Sequence, residues 1–217
     1  MQEEQRIYLP AAGHDWALWL YDPIVKLLGT DKAGRKLVDQ AALRPGHRVL
    51  DIGCGTGTLA VFIRTSHADV EVVGLDPDPK ALARASKKAE RGGVSIRFDQ
   101  GFAGSLPYPD GSFDRVFSSM MFHHLPTGEK EKMLREVRRV LVPGSSFHMM
   151  DFAGPEDQET GWLARRIHSS EQLKDNCEQR VLALMNQAGF ADASRAGDWD
   201  IRLGLGRAYF YKAVAPN

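Results

Sequence analysis

Arg48-Val49-Leu50-Asp51-Ile52-Gly53-Cys54-Gly55-Thr56-Gly57 decides the fold. Its first five residues read as a short buried strand. The glycines then form a tight turn, and a helix restarts at about Thr58. Glycines at alternate positions permit a turn this tight and leave backbone N–H groups bare for a ligand to approach. Asp51, two residues before the first glycine, falls at the C-terminal end of the strand. In open α/β sheets that end faces the ligand crevice. A dinucleotide fingerprint has the spacing G-x-G-x-x-G and seats a pyrophosphate on the helix N-terminus. Here the spacing is G-x-G-x-G, and a carboxylate stands where it would repel a diphosphate. An acid suits a cationic or amine-bearing ligand.

Composition bounds what surrounds this turn. The 217 residues fit one domain, 1–217, with an N-terminal helical lid over 1–43 and a cap insertion over 153–171. Lys+Arg 28 balance Asp+Glu 28, so no strongly basic nucleic-acid footprint is present in the aggregate. Two cysteines, Cys54 and Cys177, make no disulfide framework and fit a reducing, cytoplasmic setting. No secretory signal is read, and no apolar run reaches the ~18 residues of a membrane span. The chain is expected to act as a monomer or homodimer.

Outward from the turn, residues 70–76 form a second strand that ends in Asp76, 25 positions after Asp51. An acid at about this distance accepts hydrogen bonds from a ribose diol in dinucleotide folds. The alternative role for Asp76 is a helix N-cap. Residues 79–91 read as a helix, 94–98 as a third strand and 113–119 as a fourth. Residues 127–141 read as a helix ended by Pro143-Gly144, and 146–152 as a fifth strand. Residues 171–188 read as the last helix, with 192–199 and 206–214 as a closing hairpin. Upstream, residues 31–43 form a helix preceded by an aromatic-rich segment with Trp16, Trp19 and Tyr21. That segment either packs on the core or closes as a lid over an apolar substrate. The expected fold is α/β, a Rossmann-like, mostly parallel seven-stranded sheet with helices on both faces and an antiparallel C-terminal hairpin.

The run Val49 to Gly57 resembles the first motif of class I S-adenosylmethionine (AdoMet) methyltransferases, in the small UbiE/Coq5-like group. Leu106-Pro107-Tyr108-Pro109-Asp110-Gly111-Ser112-Phe113-Asp114, His123-His124-Leu125, Glu136 to Gly144 and Ala188-Gly189-Phe190 resemble later motifs of the same group, so the likeness extends over about residues 21–190. The resemblance implies AdoMet as cofactor, S-adenosylhomocysteine as product and a small, apolar or aromatic acceptor. It implies that Asp51 and the backbone of Gly53, Cys54, Gly55 and Gly57 hold the methionine end, with Tyr21 close by and Ser119 beneath. Asp76 would hold the ribose, and Pro77, Phe102 and Ala103 would flank the adenine. The family places an acid at the position of Phe102 to accept from the adenine amino group. Phe102 can only stack, with Asp99 or Gln100 as substitutes if the loop is shifted. Arg35 or Lys36 reaching the cofactor carboxylate is weighed against ordinary surface charge.

Ser119-Met120-Met121 replaces the Asn/Asp-Pro-Pro-aromatic loop of amide- and adenine-nitrogen methylation. No acid there offers Mg²⁺ its oxygen ligands, and no metal site is read. His123-His124 reads as a structural turn or, through His124, as a base. Asp151 reads as a substrate-orienting or basic residue, or as a loop cap. The glycine turn leaves a nicotinamide-dependent oxidoreductase as one rival, and the Phe102 departure leaves a non-catalytic AdoMet-binding protein as another.

Overall fold

The computed structural model describes residues 28–154, 176–202 and 206–217. Its elements run α1 (Thr30–Gln40), β1 (Arg48–Ile52), α2 (Thr58–Ser66), β2 (Glu71–Asp76), α3 (Pro79–Arg91), β3 (Arg97–Gln100) and β4 (Phe113–Ser119). A 3-10 turn (Phe122–His124), α4 (Thr127–Val140), β5 (Leu141–Phe152), α5 (Glu178–Gln187), β6 (Ala191–Asp200) and β7 (Arg207–Val214) follow. The seven strands lie in the order β3-β2-β1-β4-β5-β7-β6. Strands β3, β2, β1, β4 and β5 pair in parallel, and β7 runs antiparallel to both β5 and β6. This is the expected sheet with its closing hairpin. The order reverses between β1 and β4, which places the ligand crevice of an open α/β sheet at their C-terminal ends.

Alternation along the strands divides the interior in two. Val49, Val72, Phe117, Met150 and Phe210 point to one face and pack with Ala33, Leu37, Ala60 and Ile63 of α1 and α2. Leu50, Val73, Val116, Phe147 and Met149 point to the other and pack with Met133, Leu134, Val137, Val181 and Met185 of α4 and α5. Asp51 therefore shares its face with α1 and α2, and Asp151 shares its face with α4 and α5.

Three boundaries differ from the sequence reading. The first helix ends at Gln40, with the Arg115 guanidinium donating to the Ala41 carbonyl at 2.8 Å. The third strand is Arg97–Gln100, set by pairing with Val73 to Asp76 rather than by the apolar run before it. Pro143-Gly144 does not end the α4 helix. The helix stops at Val140, Leu141 already pairs with Phe113, and the Pro-Gly pair forms an irregularity inside β5 before Ser146 pairs with Arg115.

A half-buried ion hub fixes the loop that carries the Leu106-to-Asp114 motif. The Arg139 guanidinium donates to the carbonyls of Leu106 and Tyr108 and to the carboxylates of Glu136 and Asp110. Glu136 in turn accepts from the Leu106 N–H at 2.7 Å. Hydrogen bonding to Arg139 holds the Glu136 carboxyl below its ordinary range. The alternating charges of α4 thus include a structural pair.

The turn between β1 and α2 needs its glycines. Gly53, Gly55 and Gly57 have φ of 69°, 52° and 76°. A Cβ on Gly57 would also lie 2.8 Å from Cβ of Ala85 on α3. Gly57→Ala is expected to lower stability by about 2–5 kcal/mol, combining left-handed strain with overpacking. Chemical denaturation checks this, and an unchanged midpoint would mean that α3 can shift away.

Candidate functional site

The glycine turn opens on a cavity of about 290 Å³ at the β1/β4 reversal. Asp51, Gly53, Cys54 and Ser119 line it, with Thr30, Arg35 and Phe62 from the helices opposite. Asp51 is 1% exposed, and its Oδ2 has no hydrogen-bond partner among the described residues. The Ala60 N–H, in the first turn of α2, donates to the same carboxyl. Burial, and then the nearby Asp76 charge, push Asp51 up to about 8. A buried polar atom without a partner is costly unless something else satisfies it. An ammonium group would supply the missing donor and restore the charge.

Asp76 lies at the adjacent strand end but is already engaged. Its Oδ2 accepts from the Gly55 N–H at 2.9 Å and its Oδ1 from the Asp78 N–H at 2.9 Å. It therefore holds the glycine turn against β2, and the helix cap that sequence offered as its alternative falls to Asp78, which accepts from Lys80. Burial raises the Asp76 carboxyl, and the two amide bonds partly offset that. Each of its oxygens keeps lone-pair capacity for a further donor.

The remaining cofactor-side residues divide. Arg35 lines the cavity, its guanidinium 5.1 Å from the Phe62 ring centroid. Lys36 instead reaches the Asp198 carbonyl and the Phe210 ring. Pro77, Phe102 and Ala103 do not line the cavity among the described residues. Phe102 starts a tight turn that closes on Ser105. Asp99, offered as a substitute for the missing acid, accepts from the Tyr108 hydroxyl and from Arg97. Gln100 donates to the Pro77 carbonyl. The Cys54 thiol is pushed up by burial and by Asp51 and Asp76, so it stays protonated and is no nucleophile. Met121 packs over Gly53, which a Cβ would displace. Tyr21 and most of the cap insertion lie outside the described residues.

A second constellation forms at the ends of β4 and β5. The sequence offered His124 as a base and Asp151 separately; the histidine paired with Asp151 is His123. His123 Nδ1 lies 2.7 Å from Asp151 Oδ1, and the His123 backbone N–H donates to Oδ2 at 3.1 Å. The Phe152 N–H and Asn176 Nδ2 also donate to Oδ1. Burial alone would raise Asp151, but His123 and the amide donors hold it below the ordinary carboxylate range. The His124 ring packs against His123 with centroids 4.0 Å apart and planes tilted by 41°. Burial, then His123, pull it down to about 4, which makes it a weak base. Asn176 and Lys130, both buried, complete the cluster and were not singled out from the sequence. Nothing in the local spacing brings residue 176 to residue 151.

The profile of the family described as "Methyltransferase domain" matches residues 49–144. The chain is 33% identical over 184 residues to an uncharacterized methyltransferase, sll0829, of Synechocystis, covering 79% of this chain and 82% of that one. This chain belongs to the class I AdoMet-dependent methyltransferases, of the UbiE/Coq5-like type. A demethylmenaquinone methyltransferase of Thermus thermophilus is 38% identical over 148 residues, 67% of this chain. The match spans 66% of that enzyme's length. The solved structure of YcgJ from Bacillus subtilis superposes with a TM-score of 0.71 at 23% identity, over 86% of this chain and 99% of that one, and so shares the fold. The family's cofactor is AdoMet, and the nicotinamide reading is set aside.

Two outcomes follow for the buried acids. Folded Asp51 keeps its proton to about pH 8, whereas the unfolded chain gives it up in the ordinary carboxylate range, so its share of stability falls as pH rises between those limits. Asp51→Asn is therefore expected to melt above the wild type, with a gap that widens from pH 5 to pH 8 in thermal scans without ligand. Asp76→Ala strands two amide donors and is expected to cost about 1–3 kcal/mol even without cofactor. Ligand-free stability unchanged by Asp76→Ala would make it purely a binding residue.

Proposed function

We propose that this protein transfers a methyl group from AdoMet to a small aromatic or enolic hydroxyl compound. The observation that carries the cofactor half is the buried, unpartnered Oδ2 of Asp51 at the glycine turn. The Asp51 carboxylate would accept from the cofactor ammonium, and Arg35 across the cavity would donate to the cofactor carboxylate. Asp76 would take the ribose hydroxyls on its remaining lone pairs. Ser119 in the cavity wall would hold the methionyl end, and the adenine would extend beyond the cavity toward Pro77, Phe102 and Ala103. When bound, the cofactor supplies a methyl group already activated on a sulfonium sulfur.

The protein's own chemistry on the acceptor side is proton removal. The Asp151 carboxylate, kept ionised, can only accept, so the proton between it and His123 belongs to Nδ1. Nε2 then carries a lone pair and has no hydrogen bond among the described residues. It takes the acceptor's hydroxyl proton, and Asp151 stabilises the resulting imidazolium. The methyl group goes to the oxygen, or to a ring carbon made nucleophilic by its loss. This division supports phenols and quinols over thiols, which ionise without such a base. The name of the Thermus thermophilus relative, a demethylmenaquinone methyltransferase, agrees with a quinol-type acceptor. No helix among the described residues is long and apolar enough to cross a membrane. Zero net charge and free Cys54 and Cys177 support a cytoplasmic protein that does not bind nucleic acid, as a monomer or homodimer.

The test is a panel of phenols, quinols and thiols incubated with AdoMet, with methylated product read by mass spectrometry. A phenol or quinol is expected to turn over, and His123→Ala to lower kcat by roughly 10²–10⁴-fold, the usual worth of a general base. Product from thiols alone, or full activity in His123→Ala, contradicts the acceptor half. Tight binding of S-adenosylhomocysteine with no product from any class would favour a non-catalytic AdoMet-binding protein.

A further inference from the structure

Asn176 lies 1% exposed between a buried lysine and the His123–Asp151 pair. Its Oδ1 accepts from Lys130 Nζ at 2.8 Å. Its Nδ2 donates to Asp151 Oδ1 at 3.3 Å and to the Phe152 carbonyl at 3.2 Å. The orientation of this amide follows from the chemistry of its neighbours. An ammonium group has only donors, and a carboxylate and a carbonyl have only acceptors. Turning the amide over would set NH₂ against ammonium and oxygen against two oxygens. Lys130 is wholly buried on α4, its Nζ also 5.1 Å from the Phe122 ring centroid, so this end of the relay is held by packing. The backbone of Asn176 is fixed as well, since its carbonyl accepts from the Gly154 N–H at 3.0 Å. A Cβ on Gly154 would clash with the Cys177 nitrogen, so the backbones at Gly154 and at Asn176–Cys177 are in direct contact.

We infer that Asn176, oriented by Lys130, is a positioning residue that locks Asp151 so that His123 keeps its proton on Nδ1 and leaves Nε2 as the base. Without the amide, Asp151 Oδ1 would retain the Phe152 N–H and the imidazole and Oδ2 the His123 N–H, but the side of Oδ1 that faces Lys130 would lose its donor. A residue serving only to pin the chain at Gly154 would need the carbonyl bond and not the bond to Asp151. The inference rests on the proposed base role of His123, but its test does not need an acceptor. Among the described residues, the charged and titratable groups facing His123 are Asp151 from β5 and His124 from its own turn, with Lys130 of α4 behind Asn176.

The experiment is nitrogen-15 NMR of histidine-labelled protein, free and saturated with S-adenosylhomocysteine, followed through a pH titration. In the wild type, His123 is expected as a single tautomer with Nδ1 protonated and Nε2 bare. Asn176→Asp sets a second carboxylate against Asp151. It is expected to raise the His123 titration midpoint by about one unit or more, a tenfold change in proton affinity, with the affinity for S-adenosylhomocysteine unchanged. A wild-type spectrum with the proton on Nε2, or an Asn176→Asp midpoint equal to that of the wild type, overturns the inference. The wild-type tautomer decides the matter should the variant fail to fold. Failure to bind S-adenosylhomocysteine would count against the cofactor assignment instead, while the tautomer remains readable in the free protein.

Discussion

Two carboxylates buried at neighbouring strand ends, Asp51 and Asp76, constrain everything at the mouth of the sheet. Desolvating a carboxylate is costly, and placing a second beside it adds repulsion. The chain meets this in two ways. Asp76 accepts from the Asp78 amide in its own loop and from the Gly55 amide in the left-handed glycine turn, and the second bond ties β2 to the loop after β1. Asp51 is left with one oxygen unmatched and holds its proton to about pH 8. The first acid spends its charge on the fold, and the second keeps its capacity for a ligand. The same constraint explains why Cys54, between them, is an inert thiol.

The sheet divides labour between its faces. Asp51 shares its side with α1 and α2, where Arg35 and Phe62 complete the cavity. Asp151 shares the opposite side with α4 and α5, where Lys130 and Asn176 stand behind it. Met120 lines the cavity, and three residues further on His123 meets Asp151. The end of β4 therefore joins the cofactor side to the acceptor side, and Ser119-Met120-Met121 forms the join. Met120 has φ of 55°, an uncommon value for a residue other than glycine, at this crossing point.

Much of this was legible in local pattern. Alternating apolar residues in β1, β2 and β4, the glycine spacing and the acids at strand ends all carry period or position, and they placed the parallel core and Asp51 correctly. Long-range partners carry no such signal. That Asp76 also accepts from the Gly55 amide could not be seen in the sequence, because the two residues lie on different loops. His124 was preferred as the base because two adjacent histidines look equivalent on paper, yet only His123 turns toward Asp151. Glu136 and Arg139 looked like surface charge because their partners, Leu106, Tyr108 and Asp110, lie about thirty residues upstream. The boundary of β5 was misjudged for a related reason. Proline and glycine usually end a helix, but here the strand begins before them, through Leu141 pairing with Phe113.

The central claim is that Asp51 waits, protonated and unmatched, for a cationic amine. Titration calorimetry of AdoMet into the protein below pH 8, in two buffers of different ionisation enthalpy, tests it most directly, with NADH and Asp51→Asn alongside. The account predicts that AdoMet binds with net proton release, more tightly as pH rises toward 8, and that NADH does not bind. It also predicts that Asp51→Asn loses both the proton release and most of the affinity. Binding of AdoMet without proton release and with equal strength in Asp51→Asn would contradict the assignment, as would tight binding of NADH.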